Sequence, residues 1–365
     1  MEENTIEQTV AVQKNPYHRA VRIWLAIGVF MVFMQVVIGG ITRLTESGLS
    51  ITEWELVRGT LPPLNAAGWE AEFEAYKLTP QYKKINEGMS MSEFKFIYFW
   101  EYFHRLWART MGFVFAIPFF FFLYKGWIDR MLKRRLITVV LLAAVVASFG
   151  WIMVASGLVE RPWVNAYKLT MHLSLALILF SYLLWTTFKV FRPFTQVIHS
   201  SMLKRGALLI LSVLSVQIVL GGIMSGMKAA LFFPTWPDMN GEWLPALLLD
   251  ASAWNVDNFI NYDQTPFMSA LIQFLHRSTA YLLIIIGLSY FFRGIKQTTS
   301  PLFKRGLYLF AGMLIIQVLL GILTVINSKA QVPVDLGVYH QAGALILLGL
   351  VLYLNYLLKN FSKKH

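Results

Sequence analysis

Gln35-Val36-Val37-Ile38-Gly39-Gly40-Ile41 and Gln217-Ile218-Val219-Leu220-Gly221-Gly222-Ile223 are one heptapeptide written twice, 182 residues apart, with only aliphatic exchanges between the copies. Both lie in long apolar stretches. His104-Arg105 recurs in the same way as His276-Arg277, and His172 recurs as His340. Repetition of this kind marks a duplicated structural unit. The paired glycines read as close-packing positions, because small residues let membrane helices approach one another. Gln317 with Gly321, and Gly150, are weaker echoes of the same pattern.

Outward from these copies the chain is strongly apolar. Of its 365 residues 56% are hydrophobic and 14% charged, against about 45–50% and about 25% in soluble domains. Stretches long enough to cross a hydrocarbon core of about 30 Å run near 24–41, 96–124, 136–156, 169–188, 207–227, 267–292, 307–326 and 337–358. The expected fold class is all-α integral membrane: eight transmembrane helices arranged as two pseudo-two-fold-related four-helix bundles, with two long outer loops. Each half contributes an even number of spans, so both halves enter from the same side and the pseudo-axis runs along the membrane normal. The segment before the first span is too long and too acidic for a signal-peptide n-region, so that span reads as a retained helix.

Basic residues set the expected orientation. The loops after the second, fourth and sixth spans, with both termini, carry 19 Lys and Arg against 4 acids, and the other side carries 10 against 15. Both termini are therefore expected in the cytoplasm of a bacterium, with the protein in its inner membrane. The net charge of +12 reflects this asymmetry, and no basic nucleic-acid-binding module is present. The expected organisation is a cytoplasmic segment (1–22), an N-terminal bundle (23–190) with outer loop 42–95, and a cytoplasmic linker (191–206). A C-terminal bundle (207–358) with outer loop 228–266 and a cytoplasmic tail (359–365) complete it. The first loop, rich in aromatics such as Trp54, Trp69 and Tyr76, reads as a small cap with short helices. Loops of this length usually act, and lids over a site are the natural expectation.

There is no cysteine, which excludes disulfides, zinc–thiolate and iron–sulfur sites and covalent heme attachment through thiols. Chemistry must come from His, carboxylates, Arg and bound cofactors. His104, His172, His276 and His340 each fall in the first turns of an even-numbered span, so the four imidazoles cluster in the outer half of the membrane, two per bundle. A lone intramembrane His is usually a packing residue. Two facing helices that each present one imidazole suit bis-His ligation of a heme in a bundle core, whereas a metal-ion site would need further ligands that each half lacks. Glu101, His104, Arg105, Ala108 and Arg109 share one helical face, and charges at that depth must face the interior. Arg105 and Arg277 could pair with heme propionates, or with loop carboxylates. The repeat puts Gln273 where the first half has Glu101, so proton chemistry is expected in the first half alone. His18, His199 and His365 receive no role.

The set Gly39-Gly40-Ile41-Thr42-Arg43-Leu44-Thr45, Leu61-Pro62-Pro63, Trp100-Glu101-Tyr102-Phe103-His104-Arg105, Pro234-Thr235-Trp236-Pro237-Asp238-Met239-Asn240-Gly241, Gln273-Phe274-Leu275-His276-Arg277 and His340-Gln341-Ala342-Gly343 resembles the heme A synthase family in its cysteine-free form. The resemblance implies an oxidoreductase that converts the C8 methyl of heme O to the formyl of heme A, by successive hydroxylations, for aa3-type terminal oxidases. It implies that His104 and His172 flank heme O, that Glu101 is the essential acid, and that His276 and His340 ligate a heme b cofactor. Heme O synthase, oxidase assembly factors and membrane lipid are the implied partners; the electron donor, the source of oxygen and homo-oligomerisation stay open. Lys228 stands where many relatives have an Asp, so any role of that acid does not transfer. On residues alone two alternatives remain: a di-heme membrane cytochrome b that oxidises quinol, and a heme or ion transporter. The first leaves the one-sided Glu101 without a purpose.

Overall fold

The computed structural model describes residues 7–8, 15–52, 61–157, 162–191, 197–198 and 200–358. The helices in chain order are α1 (Arg19–Leu44), α2 (Ala66–Lys77) and α3 (Pro80–Lys84) of the first loop, α4 (Met91–Tyr124), α5 (Arg130–Gly157), α6 (Ala166–Phe191) and α7 (Ser201–Gly226). Then come α8 (Val256–Ile260) of the second loop, α9 (Phe267–Gln297), α10 (Pro301–Ile326) and α11 (Val334–Leu357). Eight of these, α1, α4, α5, α6, α7, α9, α10 and α11, are long and apolar enough to cross a membrane. All eight expected spans are present. Most begin several residues earlier than the apolar windows, because a polar capped first turn carries no hydropathy signal. Ser90 and Glu93 close a capping box on α4, and Ser200 and Ser300 cap α7 and α10. Trp54 of the first loop, His199 and the tail 359–365 lie outside the described residues.

Within the first half α1 packs on α4 and α6, and α5 on α6; within the second, α7 packs on α9 and α11, and α10 on α9 and α11. The halves meet through α1 with α11, α6 with α7, and α6 with α11. Contacts across this seam obey the repeat. Arg43 donates to the carbonyls of Ser225 and Gly226 at 2.9 and 3.1 Å, and Ser225 is the 182-residue counterpart of Arg43 itself. Glu46 and Lys228, again counterparts, form an ion pair, and both adopt left-handed backbone, φ 57° and 50°. Residues meet their own copies near a two-fold axis, so these contacts are consistent with the expected pseudo-two-fold arrangement.

One apolar core, including Trp24, Phe122, Leu136, Leu203, Phe303 and Phe310, lies at the end of the bundle away from the long loops. Pro118 interrupts α4 and cannot donate to the carbonyl one turn back; the Trp24 indole N–H satisfies that oxygen, on Val114, at 2.9 Å. Thirty-four residues make α4 about 51 Å long, so its first turns project beyond a hydrocarbon core of about 30 Å. There Phe94, Ile97 and Tyr98 bury Phe73 and Tyr76, which makes the first loop the folded cap its aromatics suggested. The second loop has its own small core around Leu248, Tyr262 and Phe267. A two-residue pairing of Glu7–Gln8 with Val197–Ile198 is the strand content among the described residues.

Candidate functional site

A continuous cavity of about 1950 Å³ runs through both bundles, and all four intramembrane imidazoles line it, as do Glu101, Arg105, Ala108, Arg109 and Arg277. The charged face of α4 thus points inward, as its spacing required.

Each imidazole rests on a glycine of the preceding span. A Cβ placed on Gly39 would lie 3.1 Å from His104, on Gly150 2.9 Å from His172, on Gly221 3.1 Å from His276, and on Gly321 2.9 Å from His340. These glycines make room for the rings, a use that helix packing alone does not express. One turn before three of them stands a glutamine whose amide meets the same ring: Gln35 with His104 Nε2 at 2.9 Å, Gln217 with His276 Nε2 at 3.1 Å, and Gln317 with His340 Nδ1 at 3.1 Å. The counterpart of Gln317 in the first half is Val146, which offers its backbone carbonyl to His172 Nδ1 at 3.1 Å. Rotating an amide by half a turn exchanges its oxygen and nitrogen, so glutamine can serve either state of a ring nitrogen, whereas a carbonyl accepts only. The three glutamine oxygens have no partner. Sequence reasoning missed these contacts although the signal was present: glutamine four residues before glycine, three times over, shares a helical face with it.

The rings of His276 and His340 face each other with centroids 6.5 Å apart. An iron between two imidazoles, with metal–nitrogen bonds of about 2.0–2.1 Å, needs roughly this spacing. His276 Nδ1 is buried without a partner, and among the described residues no three His, Asp or Glu side chains converge as a metal-ion site. A planar iron macrocycle, which brings its own four nitrogen ligands, therefore fits the second half.

Glu101 is 3% exposed and every part of its carboxylate is used. Oε1 meets Arg105 at 2.6 Å, while Oε2 accepts from the Ser50 N–H and hydroxyl at 2.7 and 2.8 Å and from the Ile51 N–H at 3.0 Å. In the second half the polarity is reversed. Gln273, fully buried, donates to the Phe233 carbonyl at 2.8 Å, and Arg277 donates to the carbonyls of Asp238, Thr235 and Phe233 at 2.6, 2.7 and 3.0 Å. The two long loops are thereby tied to the helix turns that carry the histidines. Arg105 pairs with an acid of its own helix, and Arg277 meets loop carbonyls in place of the loop carboxylates weighed as its partners. The Arg277 Nε is still a buried donor without a partner.

Fold and site define a class: an eight-span membrane protein of two bundles, each presenting paired imidazoles to an interior cavity beneath a tethered loop. The chain matches the family described as cytochrome oxidase assembly protein (COX15-CtaA) over residues 22–352. It is 41% identical to the heme A synthase of Bradyrhizobium diazoefficiens over 94% of this chain and 92% of that one. With the heme A synthase of Nitrosospira multiformis the identity is 39% over 97% and 96%, and with that of Flavobacterium psychrophilum 40% over 95% and 99%. The chain belongs to the COX15-CtaA, heme A synthase, family.

Proposed function

We propose that the protein is an oxidoreductase that makes heme A from heme O for terminal oxidases. Each of two steps adds one oxygen atom and removes two electrons, which an oxidant from outside the chain would take: the methyl group becomes an alcohol and then a geminal diol, which loses water to give the aldehyde. The observation that carries this reading is the inequality of two otherwise matched sites: a buried acid, Glu101, one turn from the imidazole of the first half, and a neutral amide, Gln273, at the same place in the second.

His104 and His172 hold the substrate heme in the N-terminal bundle (23–190). His276 and His340 hold heme b in the C-terminal bundle (207–358), where it supplies a one-electron redox centre when bound. Gln217 and Gln317 fix the orientation of those two rings, as partners of ligating histidines commonly do. Arg105 and Arg277, the cations next to each pair, would meet the heme propionates, with the unpartnered Nε of Arg277 supporting its assignment. Glu101 takes and returns a proton at Oε2 as the Ser50–Ile51 segment releases it. The cap and second loop exclude water from the two sites.

The excess of Lys and Arg at the ends away from the long loops supports an orientation with both termini in the cytoplasm of the bacterial inner membrane. Heme O is the substrate, and the enzymes that make it and that build the oxidase are the expected partners. Production of the chain together with a heme O source, followed by extraction and chromatographic separation of hemes, tests the reading. A formyl heme is expected; heme O recovered unaltered in amount would overturn it.

A further inference from the structure

The cavity is not equally deep in the two halves. Along α4 it reaches Phe120, whereas along α9 it stops at Ile284, the repeat counterpart of Gly112. Eight residues, about 12 Å of helix, separate those limits. The facing helices agree: on α1 the lining extends to Trp24 but on α7 only to Leu214, the counterpart of Val32, and on α5 it extends to Ile137 but on α10 only to Leu314, the counterpart of Ala143.

The cause lies in exchanged side-chain sizes. In the second half Gly287 and Gly294 let α9 close on α10; a Cβ at either would come within 2.7 Å of Leu314 or Leu307, and Tyr290 packs edge-on against Phe310. The counterparts of the two glycines in α4 are Phe115 and Phe122, and the counterparts of Leu314 and Phe310 in α5 are Ala143 and Val139. Bulk has moved to the helix that needed a notch, and small residues to the helix that supplied the filler. Although only five residues join α4 to α5, the two helices do not pack together as α9 and α10 do. The space between them is an apolar slot. Phe120, Ile137, Val140 and Leu141 line it and are also 44–66% exposed, so it opens sideways into the membrane.

We infer that the slot between α4 and α5 holds the long isoprenoid chain of the substrate heme and that its absence from the second half confines that half to a heme without such a chain. The inference rests on the functional reading above, which puts a farnesyl-bearing heme in the first half and a tailless one in the second. Lipid chains are as apolar as leucine, so burial of the tail adds little attraction beyond the membrane. Selection comes from steric exclusion: a tail has room in one bundle and meets a sealed helix seam in the other.

The test uses the full chain purified with the second-half heme in place, titrated with heme O or with tailless protoheme and followed by its optical difference spectrum. Ala116→Trp and Ala144→Phe, made separately, each fill the slot from one wall. Heme O affinity is expected to fall about tenfold or more in both, with protoheme binding changed less than about threefold and the second-half heme spectrum unaltered. Equal losses for both hemes, or no loss for either, overturn the inference, as does loss of copurified lipid with heme O affinity unchanged, which would make the slot an acyl-chain site. If the unsubstituted protein takes up neither heme in its first half, the functional reading itself fails, and that result differs from heme O binding that ignores the two substitutions.

Discussion

Glu101 accepts a hydrogen bond from the backbone N–H of Ile51 at 3.0 Å. At the matching place in the second half the direction is reversed, with Gln273 donating to the carbonyl of Phe233 at 2.8 Å. Duplication has kept the tether between outer loop and histidine helix and changed its sign. An acid that collects N–H donors is bound to its loop through the atoms that would carry a proton. On the proposed function, loop movement and proton transfer at Glu101 would be linked in the first half, with no counterpart in the second.

Arg277→Met removes a buried guanidinium, leaves the Thr235 carbonyl without a donor and takes one of two donors from the carbonyls of Phe233 and Asp238, which keep Gln273 and the Thr235 hydroxyl. Loss of such contacts costs about 3 kcal/mol or more. Hydrogen–deuterium exchange is expected to rise in residues 232–241 while the first loop keeps its protection. Unchanged exchange there would show that the loop is held by its own core.

Gln217→Leu and Gln317→Leu each remove the amide that meets a second-half imidazole. Loss of such a partner commonly lowers metal-site affinity 10–100-fold, so heme retention should drop and the midpoint potential of what remains should move. Gln35→Leu acts on the first half and leaves that spectrum as it was. Optical and redox titration of the purified variants checks both statements.

Gly321→Ala puts a methyl group 2.9 Å from His340, a separation the ring can relieve only by moving. Loss of the second-half heme is expected. Gly312, on the same helix, has open space where its Cβ would stand; Gly312→Ala should retain the heme and gain up to about 1 kcal/mol of helix stability.

Glu46 and Lys228 form their ion pair with both side chains about one-third exposed, so its contribution is about 0.5–1 kcal/mol after solvent screening. Lys228→Glu should lower the unfolding temperature in detergent by a few degrees, and Glu46→Lys added to it should restore most of the loss. Additive losses would contradict an ion pair between repeat counterparts.

Much of this was legible in the chain. Eight spans, the duplication and the inward face of Glu101, His104, Arg105 and Arg109 follow from hydropathy and helical periodicity, which report on burial directly. In each glycine pair the second member, Gly40 or Gly222, packs against Gln341 or Thr170 of a neighbouring helix as the packing reading expects, while the first, Gly39 or Gly221, accommodates an imidazole ring, a distinction that depends on side-chain direction and not on spacing. Arg277 was matched with carboxylates because charge is visible in a sequence. Its partners are backbone carbonyls, which every residue carries and which no residue type announces. The unequal depth of the two halves was written in Phe115 against Gly287 and Ala143 against Leu314, yet size exchanges between repeats acquire meaning only once the facing helices are known.

The most direct test of the account is the fate of the heme in Glu101→Gln beside the unsubstituted protein, both produced with a heme O source and both checked for bound heme by their spectra. Glutamine keeps an acceptor for Ser50 and Ile51 but cannot carry the proton. The substituted protein is expected to retain both hemes and yield heme O or its alcohol without the aldehyde, while the unsubstituted one yields heme A. Heme A formed equally by both would contradict the role given to Glu101 and, with it, the functional inequality of the two halves.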